Sequence, residues 1–327
     1  MAVTIVTGAA GHVGANLVRE LLAQGQRVRV LVHHDRCALE GLDVEAVPAD
    51  VENLDSLLHA FEGVELVYHT AGYISITSNE WPRLEAVNIL GTRNVVEACL
   101  RCGVERLVHL SSVETLLDKP FGGLVDESRP LVDSRRCSPY ARSKAAGEKE
   151  VRQGLARGLD AVVLYPSAII GPHDYRMGFP NTGLLAICRG ELWALVDGGF
   201  DWVDVRDVVR GTLKAAERAP AGGRYILSGH WASLRELAEL AEEINGFRVP
   251  RLVVPMWLAR VGAPFTVALN RVAGRRPLYT SAALRPLWGN HRISHARATR
   301  ELGYAPRSLK ETIVETLQWF ECRSRVE

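Results

Sequence analysis

The chain has 327 residues, of which 47% are hydrophobic and 24% are charged, so it contains enough apolar material for one large domain or for a large domain with a smaller partner. Its 39 basic and 38 acidic residues nearly cancel, which leaves no strong overall field to attract nucleic acid or an anionic membrane. A chain of this size needs no disulfides, so we expect the six cysteines to be reduced thiols in a cytoplasmic protein, with no metal site.

Short β-branched segments alternate with helical patterns through the first half of the chain. Strands that alternate with helices need crossover connections and therefore form a parallel sheet. The predicted fold class is α/β, with a doubly wound parallel sheet and mostly helical segments after Ser233. The predicted strands are 3–7, 27–33, 65–69, 106–110, 160–165 and 223–227, and the predicted helices include 15–24, 84–102, 140–157 and 309–320.

A glycine-rich turn, TGAAGHVG at residues 7–14, joins the first predicted strand to the first predicted helix. Glycine lets the chain turn sharply and lets the backbone approach a pyrophosphate, while the N-terminal NH groups of the helix point at the phosphates. A glycine triplet alone is a weak signal, but a strand before it and a helix after it favour a dinucleotide site. The residues expected to contact the cofactor here are Gly8, Ala10, Gly11, His12, Val13 and Gly14.

The end of the second predicted strand bears on the choice between NAD and NADP. An Asp or Glu there would bind the adenosine ribose of NAD and repel the extra phosphate of NADP. The sequence has His33 at that position, with Asp35 two residues later and Arg36 after it. We expect His33 and Arg36 to favour NADP, and the alternative is that Asp35 reaches the ribose of NAD.

A tyrosine and a lysine, Tyr140 and Lys144, stand four residues apart on a predicted helix and therefore on one face. A phenol has a pKa of about 10, and a nearby cation lowers it, so the pair can pass a proton to a carbonyl oxygen as a hydride arrives. Upstream, the strand 106–110 ends in Ser111 and Ser112. We expect the Ser112 hydroxyl to bind the substrate oxygen and Ser111 to bond backbone, with the reversed assignment as the alternative.

The glycine motif, the paired serines and the Tyr-x-x-x-Lys motif, in this order and spacing, resemble the extended short-chain dehydrogenase/reductase family over nearly the whole chain. VNILGT at 87–92 and YPSAIIGP at 165–172 are also similar to that family. The resemblance implies a Rossmann fold, a homodimer formed through helices 84–102 and 140–157, and a second role for Lys144 in holding the nicotinamide ribose. It also implies cofactor contacts from Asp50, Val51, Thr70, Ala71, Gly72, Pro166 and Ser167.

Within the family, SSVE at 111–114 and SPY at 138–140 look most like the branch of dihydroflavonol reductases and 3β-hydroxysteroid dehydrogenases. That resemblance implies an NAD(P)-dependent oxidoreductase that interconverts a ketone and a secondary alcohol. A nucleotide-sugar epimerase or dehydratase with tightly bound NAD is the alternative, but the spacing of Arg189, Arg224 and Arg292 singles out none of them for a diphosphate. A non-catalytic NAD(P)-sensing protein is less favoured, because the tyrosine and the lysine are both present.

From about residue 167 the alternation of strands and helices loosens. We expect a dinucleotide-binding domain over 1–166 and a smaller substrate-binding lobe over 167–327 that is partly interleaved with the sheet. Aromatic and apolar residues near the expected pocket, including Ile74 and Trp202, favour a moderately hydrophobic substrate, although such residues also suit an ordinary core. The candidate substrate contacts are Tyr73, Ser112, His173, Met177 and Phe179.

The most apolar late stretch, 253–272, contains Arg260, Pro264 and Asn270, which a bilayer-spanning helix would tolerate poorly. We expect helices packed on the substrate-binding lobe, and contact with a membrane surface is the alternative.

The resemblance further implies that Asp204 and Asp207 are structural and tie the lobe to the sheet.

Overall fold

The computed structural model describes residues 3–32, 36–75, 80–120, 122–135, 137–192, 194–246, 249–263 and 291–324, together with Leu284, Leu287 and Gly289. The strands are β1 (Thr4–Thr7), β2 (Val28–Val32), β3 (Glu45–Pro48), β4 (Leu66–His69), β5 (Arg106–Leu110), β6 (Ala161–Pro166), β7 (Ala168–Ile170), β8 (Leu195–Val196), β9 (Gly199–Asp204), β10 (Arg224–Leu227), β11 (His230–Ser233) and β12 (Val253–Val254).

The helices begin with α1 (His12–Ala23), α2 (Leu54–Ala60) and α3 (Trp81–Leu84), and a π-helical segment, Glu85–Leu90, joins α3 to α4. The others are α4 (Gly91–Cys102), α5 (Pro139–Ala156), α6 (Phe179–Cys188), α7 (Val205–Arg218), α8 (Leu234–Asn245), α9 (described over 256–263), α10 (Ala296–Leu302) and α11 (Leu309–Ser324). Within the described ranges, no helix combines the length and the apolar character needed to cross a membrane.

Seven parallel strands form the central sheet in the order β10-β6-β5-β4-β1-β2-β3. The chain runs outward from β1 to β3 and then returns to continue from β4, so the strand order reverses between β1 and β4. Ligands of such sheets bind beyond the carboxyl ends of the strands at this switch point. Thr7, His69 and His109 lie side by side at those ends, because the register pairs Thr7 with His69 and His69 with His109. The topology confirms the predicted α/β fold class.

Alternate residues of the strands enter two separate cores, as a parallel sheet covered on both faces requires. On one face Val6, Val30 and Val108 pack with apolar side chains of α1 and α7. On the other face Ile5, Leu31 and Leu107 pack with side chains of α2, α4 and α5. These layers fix α1 and α5 on opposite faces of the same strand ends.

The second half of the chain both completes the sheet and builds its own core. Strand β10 pairs with β6 at the edge of the central sheet, and α7 packs on α1. A three-stranded sheet, β11-β9-β7, packs with α6, α8 and α11 around the buried Trp202, which belongs to this core. Asp204 caps α7 and pairs with Arg206, while Asp207 pairs with Arg307.

Several elements differ from the sequence predictions. The predicted helix 84–102 begins earlier, at Trp81, and contains the π-helical segment, in which one turn widens by a residue. The predicted strand 27–33 ends at Val32, and His33 lies outside the described residues. Strands β3, β7, β8, β9, β11 and β12 and helices α2, α6 and α7 were not predicted, and the shortest of these segments give little periodic signal.

Candidate active site

The turn between β1 and α1 brings its backbone against the end of β4. Gly8 has a φ of +69°, which glycine adopts without strain, and a Cβ there would lie 2.6 Å from the backbone nitrogen of Ala71. A Cβ on Gly14 would overlap the carbonyl oxygen of Gly8. Gly11 is the N-cap of α1, and no side chain among the described residues caps this helix. The NH groups of its first turn therefore have the arrangement that binds phosphate groups.

The segment after β7 is fastened to this same turn. The carbonyl oxygen of Pro172 accepts a hydrogen bond from Asn16 Nδ2 at 3.0 Å and lies 3.1 Å from His12 Nε2. Since a carbonyl oxygen only accepts, His12 carries a proton on Nε2. Burial lowers the pKa of His12, and the Asp174 carboxylate opposes that effect.

Two residues of this segment, His173 and Met177, adopt left-handed conformations with φ of 58° and 52°. The ring of Tyr175 packs on small residues of α1 and of the turn after β2, and its hydroxyl accepts a hydrogen bond from Arg19 at 2.9 Å. His173 stacks on Tyr175 and lies 5.5 Å from the ring of Trp319. Burial lowers the pKa of His173 to about 4, so this ring is neutral near pH 7.

A buried chain of hydrogen bonds links the glycine turn to the π-helical segment. The NH of Ala71 donates to Thr7 Oγ1, which lies 2.7 Å from His69 Nδ1, and His69 Nε2 lies 3.1 Å from Thr92 Oγ1. Thr92 donates its hydroxyl proton to the carbonyl oxygen of Asn88, so His69 must donate from Nε2 and accept on Nδ1. Burial lowers the pKa of His69 to about 3, which keeps the ring neutral and this arrangement of protons fixed.

Asn88, in the π-helical segment, holds the loop after β4 against α5. Its Oδ1 accepts from the Tyr73 NH at 2.8 Å, and its Nδ2 donates to the Tyr73 carbonyl and to Ser143 Oγ, each at 2.9 Å. A Cβ on Gly147 would overlap the Asn88 carbonyl oxygen, so α5 approaches this segment as closely as backbone permits. The loop and α5 are thereby fixed relative to each other.

The start of α5 sets Tyr140 opposite the end of β5. Ser138 caps the helix by accepting from the Ala141 NH at 3.0 Å, and Pro139 occupies its first turn. The Ser138 hydroxyl also contacts Glu114 in the short turn that follows Ser112. Burial and the nearby Glu114 carboxylate raise the pKa of the Tyr140 phenol, while a hydrogen bond with Ser112 lowers it. The phenol is therefore protonated at neutral pH and lies beside the Ser112 hydroxyl.

Lys144 lies one helical turn further along α5 and is 5% exposed. Its Nζ donates to the carbonyl oxygen of Leu110 at 2.6 Å, at the end of β5. A Cβ on Gly72 would lie 3.6 Å from this Nζ, so the loop after β4 passes directly over it. Burial lowers the pKa of Lys144 to about 8, and the Glu148 carboxylate one turn away opposes that effect.

Glu148 is fully buried and anchors the base of the site. Its carboxylate accepts hydrogen bonds from Ser111 Oγ at 3.1 Å, from the Tyr165 hydroxyl at 2.7 Å and from Arg152 Nη2 at 2.8 Å. The expectation that the Ser111 hydroxyl bonds backbone is wrong, because this hydroxyl donates to the Glu148 carboxylate. Glu148 lies on the same face of α5 as Tyr140 and Lys144 and therefore reaches the end of β5. The two serines therefore have different roles: Ser111 points into the protein, and Ser112 lies beside Tyr140.

The residues expected around the adenine and the ribose occupy neighbouring turns. Asp50 accepts from the Glu52 NH at 3.0 Å and thereby shapes the turn before α2, and the side chain of Val51 faces Gly91. The Thr70 hydroxyl donates to the Thr7 carbonyl at 2.7 Å. Arg36 is exposed directly before a short helical turn, Cys37–Leu39.

The residues that we expect beside the nicotinamide lie at the end of β6. Pro166 is the last, buried residue of that strand, and the next residue, Ser167, lies beside the buried Asp201. The candidate substrate contacts spread more widely. Tyr73 donates to Glu80 at 3.0 Å, His173 lies near the start of α1, and Met177 and Phe179 lead into α6. Ile74 is largely exposed.

The sequence analysis assigned no part in the site to three positioning residues: Asn16, Asn88 and Glu148. A signal existed for Glu148, since it follows Tyr140 and Lys144 at intervals of four and thus lies on the same helical face. Asn88 lies in the VNILGT stretch that resembles the family, but its neighbours in space depend on the π-helical segment. Arg189, Arg224 and Arg292 lie on separate elements, at the end of α6, on β10 and before α10.

Comparison with known proteins agrees with this geometry. A model of the NAD dependent epimerase/dehydratase family matches residues 4–228. The chain is 36% identical to sterol demethylase protein B of Methylococcus capsulatus, over 99% of each chain. It is 32% identical to a putative dihydroflavonol 4-reductase of Synechocystis, over 97% of this chain and 94% of that one. The crystal structure of gox2253 matches with a TM-score of 0.86 and 32% identity, over 99% of each chain.

The chain therefore belongs to the NAD-dependent epimerase/dehydratase family of extended short-chain dehydrogenases/reductases. Within that family it is an NAD(P)-dependent oxidoreductase, as the sequence motifs predicted.

Proposed function

We propose that this enzyme interconverts a ketone and a secondary alcohol by hydride transfer, with Tyr140 as the general acid and base. The observation that carries the proposal is the grouping of Ser112, Tyr140 and Lys144 at the end of β5, below the loop that follows β4. In the reductive direction the carbonyl oxygen gains a proton while its carbon gains the hydride, and a protonated phenol beside a serine hydroxyl is suited to that task.

Each side chain has a separate part in the proton transfer. Ser112 binds the substrate oxygen, and Tyr140 gives that oxygen its proton. Lys144 has a pKa of about 8, so it is mostly protonated at pH 7, and its charge stabilises the phenolate that remains on the same helical face. Glu148 supports the charge on Lys144 and holds Ser111.

The same end of the sheet suits a nicotinamide dinucleotide, which supplies or accepts the hydride when bound. We assign its pyrophosphate to the turn of α1, because glycine is the only residue that fits at Gly8 and Gly14. The adenine would lie by Asp50 and Val51. The nicotinamide half would meet Thr70, Ala71, Gly72, Pro166 and Ser167, with its ribose held by Tyr140 and Lys144. We favour NADP over NAD because Arg36 is exposed beyond the second strand.

For the substrate we propose a moderately hydrophobic ketone or alcohol. The names of two relatives, a sterol demethylase protein and a dihydroflavonol reductase, support that class. The candidate contacts are Tyr73, Ser112, His173, Met177 and Phe179 from the loop after β4, the end of β5 and the start of the 167–327 lobe.

We also propose a cytoplasmic homodimer formed through α4 and α5, which size-exclusion chromatography with light scattering would test.

The direct test compares Tyr140→Phe with the unchanged enzyme on a panel of hydrophobic ketones. We expect kcat to fall by about 10²- to 10⁴-fold, while the Kd for NADPH stays within about threefold because the phenol ring remains. The matched control is Tyr225→Phe on β10, whose hydroxyl bonds Glu301 away from this site and whose loss should leave kcat unchanged. Full activity in Tyr140→Phe would show that Tyr140 is not the general acid.

Native mass spectrometry of the protein purified without added nucleotide separates the main alternatives. An empty site, or one that fills when NADPH is added, supports a reductase that exchanges its cofactor. Tightly retained NAD would instead support an epimerase that recycles its cofactor within each turnover. Binding of NADPH without turnover of any ketone or nucleotide sugar would favour a sensing protein.

A further inference from the structure

Helix α9 is apolar on both of its faces. Met256 and Ala263 are 7% and 1% exposed and belong, with Ala259, to the core shared by α6 and α8. At about 100° per residue, the opposite side of the helix carries three large side chains that are 68%, 45% and 61% exposed, namely Trp257, Leu258 and Val261. A helix that is apolar all round normally has both faces covered, so the outer face of α9 calls for an apolar partner.

These side chains are part of a cluster. Of the seven large hydrophobic side chains that are most exposed in the described part of the chain, four lie within residues 252–261, and the other three are scattered. We call this cluster the α9 patch, and it consists of Leu252, Trp257, Leu258 and Val261. Scattered apolar residues on a surface are ordinary, but three on one arc of a single helix mark a contact surface.

In sequence, the α9 patch lies in a stretch of the chain that is rich in arginine. Residues 244–300 contain ten arginines and no Lys, Asp or Glu, whereas the rest of the chain carries the other 29 basic residues and all 38 acidic ones. A protein with a net charge of +1 therefore has a segment of +10 and a remainder of −9. Arg251 adjoins Leu252 in sequence, its side chain is 87% exposed, and its ion pair with Glu242 is a long one of 3.7 Å. Arg260 is exposed on α9 between Leu258 and Val261.

We propose that the α9 patch docks on the surface of an anionic phospholipid bilayer, with α9 lying in the plane of the headgroups. Tryptophan is enriched at that interface, and arginine can keep its guanidinium among the phosphates while its stem packs on apolar side chains. A helix that exposes an apolar arc beside an arginine can bind at such a surface without crossing it. The surface contact goes beyond the oxidoreductase chemistry and does not depend on it.

Other partners satisfy only part of these features. Nucleic acid would pair with the arginines but would leave Leu258 and Val261 in water. A second copy of the chain offers an acidic remainder, so self-association is the competing outcome that the experiment must distinguish. A bilayer surface rich in anionic lipid satisfies the charge and the apolar arc together.

The experiment is co-sedimentation of the full-length protein with vesicles of phosphatidylcholine alone and of phosphatidylcholine with phosphatidylglycerol. We expect binding to the anionic vesicles, weakened by roughly fivefold or more between 50 mM and 500 mM salt, because each basic residue near the surface contributes about fivefold to partitioning. The double variant Trp257→Ser and Val261→Ser should lose binding by about tenfold or more. The matched control is Leu124→Ser, which removes a side chain that is 45% exposed elsewhere and should bind like the unchanged protein.

Three outcomes would overturn the proposal. The first is the lack of binding to either vesicle at low salt. The second is binding that the double variant retains, which would mean that arginines elsewhere suffice. The third is a concentration-dependent dimer, seen without lipid by light scattering and lost in the double variant, together with no binding to vesicles, which would assign the α9 patch to a second copy. Ketone reduction by the double variant at the unchanged rate would show that the active site is intact in each case.

Discussion

Ser111 at the end of β5 donates a hydrogen bond to Glu148 in α5, at 3.1 Å. This contact joins the serine pair to the helix that carries Tyr140 and Lys144, and its acceptor is a fully buried carboxylate. Glu148 therefore has two consequences for the site. It fixes the end of β5, and its negative charge raises the pKa of Lys144 against the effect of burial.

The substitution Glu148→Gln should shift the pH dependence of catalysis. Removing the carboxylate lowers the pKa of Lys144 below its present value of about 8, so the lysine loses its proton at a lower pH. We expect the alkaline limb of kcat/KM to move to lower pH by about one unit, with a smaller effect at pH 6, where Lys144 stays protonated. The measurement is kcat/KM for a hydrophobic ketone between pH 5.5 and 9.5.

The matched control for that profile is Glu150→Gln, two residues along α5, whose carboxylate pairs with Arg93. Its alkaline limb should coincide with that of the unchanged enzyme. If the alkaline limb of Glu148→Gln stayed at the same pH, a group other than Lys144 would determine it. If kcat/KM fell equally at every pH, the role of Glu148 would be purely structural.

Most of the central sheet could be predicted from the sequence, because buried parallel strands are short, continuous apolar runs and the helices between them have strong periodicity. The glycine turn and the Tyr140–Lys144 spacing were equally readable, since each depends on residues close together in the chain. The predictions for the fold class, the family and the enzyme class are confirmed.

The contacts that support the site could not be read in the same way. Asn88 forms hydrogen bonds with Tyr73 and Ser143, which are 15 and 55 residues away in sequence. These contacts depend on the extra residue of the π-helical segment. His69 is neutral because burial and the nearby Lys144 charge lower its pKa, and the hydroxyls of Thr7 and Thr92 are its hydrogen-bond partners. A single sequence carries no local pattern for partners brought together by packing of distant elements.

The substitution Lys144→Met should change how stability depends on pH. Burial lowers the pKa of this lysine from 10.5 to about 8 in the folded protein. Between these values the unfolded chain binds more protons, so this residue makes the free energy of unfolding rise as pH increases from 8 to 10.5. Below pH 8 the lysine is charged in both states, and the full cost of burying that charge is present.

We therefore expect the stability of the unchanged protein, relative to Lys144→Met, to increase by up to roughly 3 kcal/mol between pH 7 and pH 10.5. Urea unfolding at pH 7, 8, 9, 10 and 10.5 measures that difference. Parallel curves for the two proteins would show that Lys144 titrates at its ordinary pKa. The variant should also lose ketone reduction, which separates its effect on stability from its effect on catalysis.

The substitution Gly14→Ala should disable the cofactor site. Its Cβ would overlap the carbonyl oxygen of Gly8, so either the turn or the start of α1 must move. We expect a loss of stability of about 1–3 kcal/mol and binding of NADPH weakened by more than about 100-fold, measured by calorimetry and fluorescence titration. Gly183→Ala in α6 is the control, because nothing lies within 4 Å of its Cβ. Unchanged binding in Gly14→Ala would place the pyrophosphate elsewhere.

The choice between NADP and NAD turns on the residues after β2, where Arg36 is exposed and His33 lies outside the described residues. If Arg36 binds the phosphate on the adenosine ribose, Arg36→Gln removes a charge-assisted contact that NADH never makes. We expect the KM for NADPH to rise about tenfold while the KM for NADH stays within about twofold. Arg101→Gln, at the end of α4, is the control, since its side chain pairs with Glu97. Preference for NADH in the unchanged enzyme, with no effect of Arg36→Gln, would favour the alternative in which Asp35 binds the ribose hydroxyls of NAD.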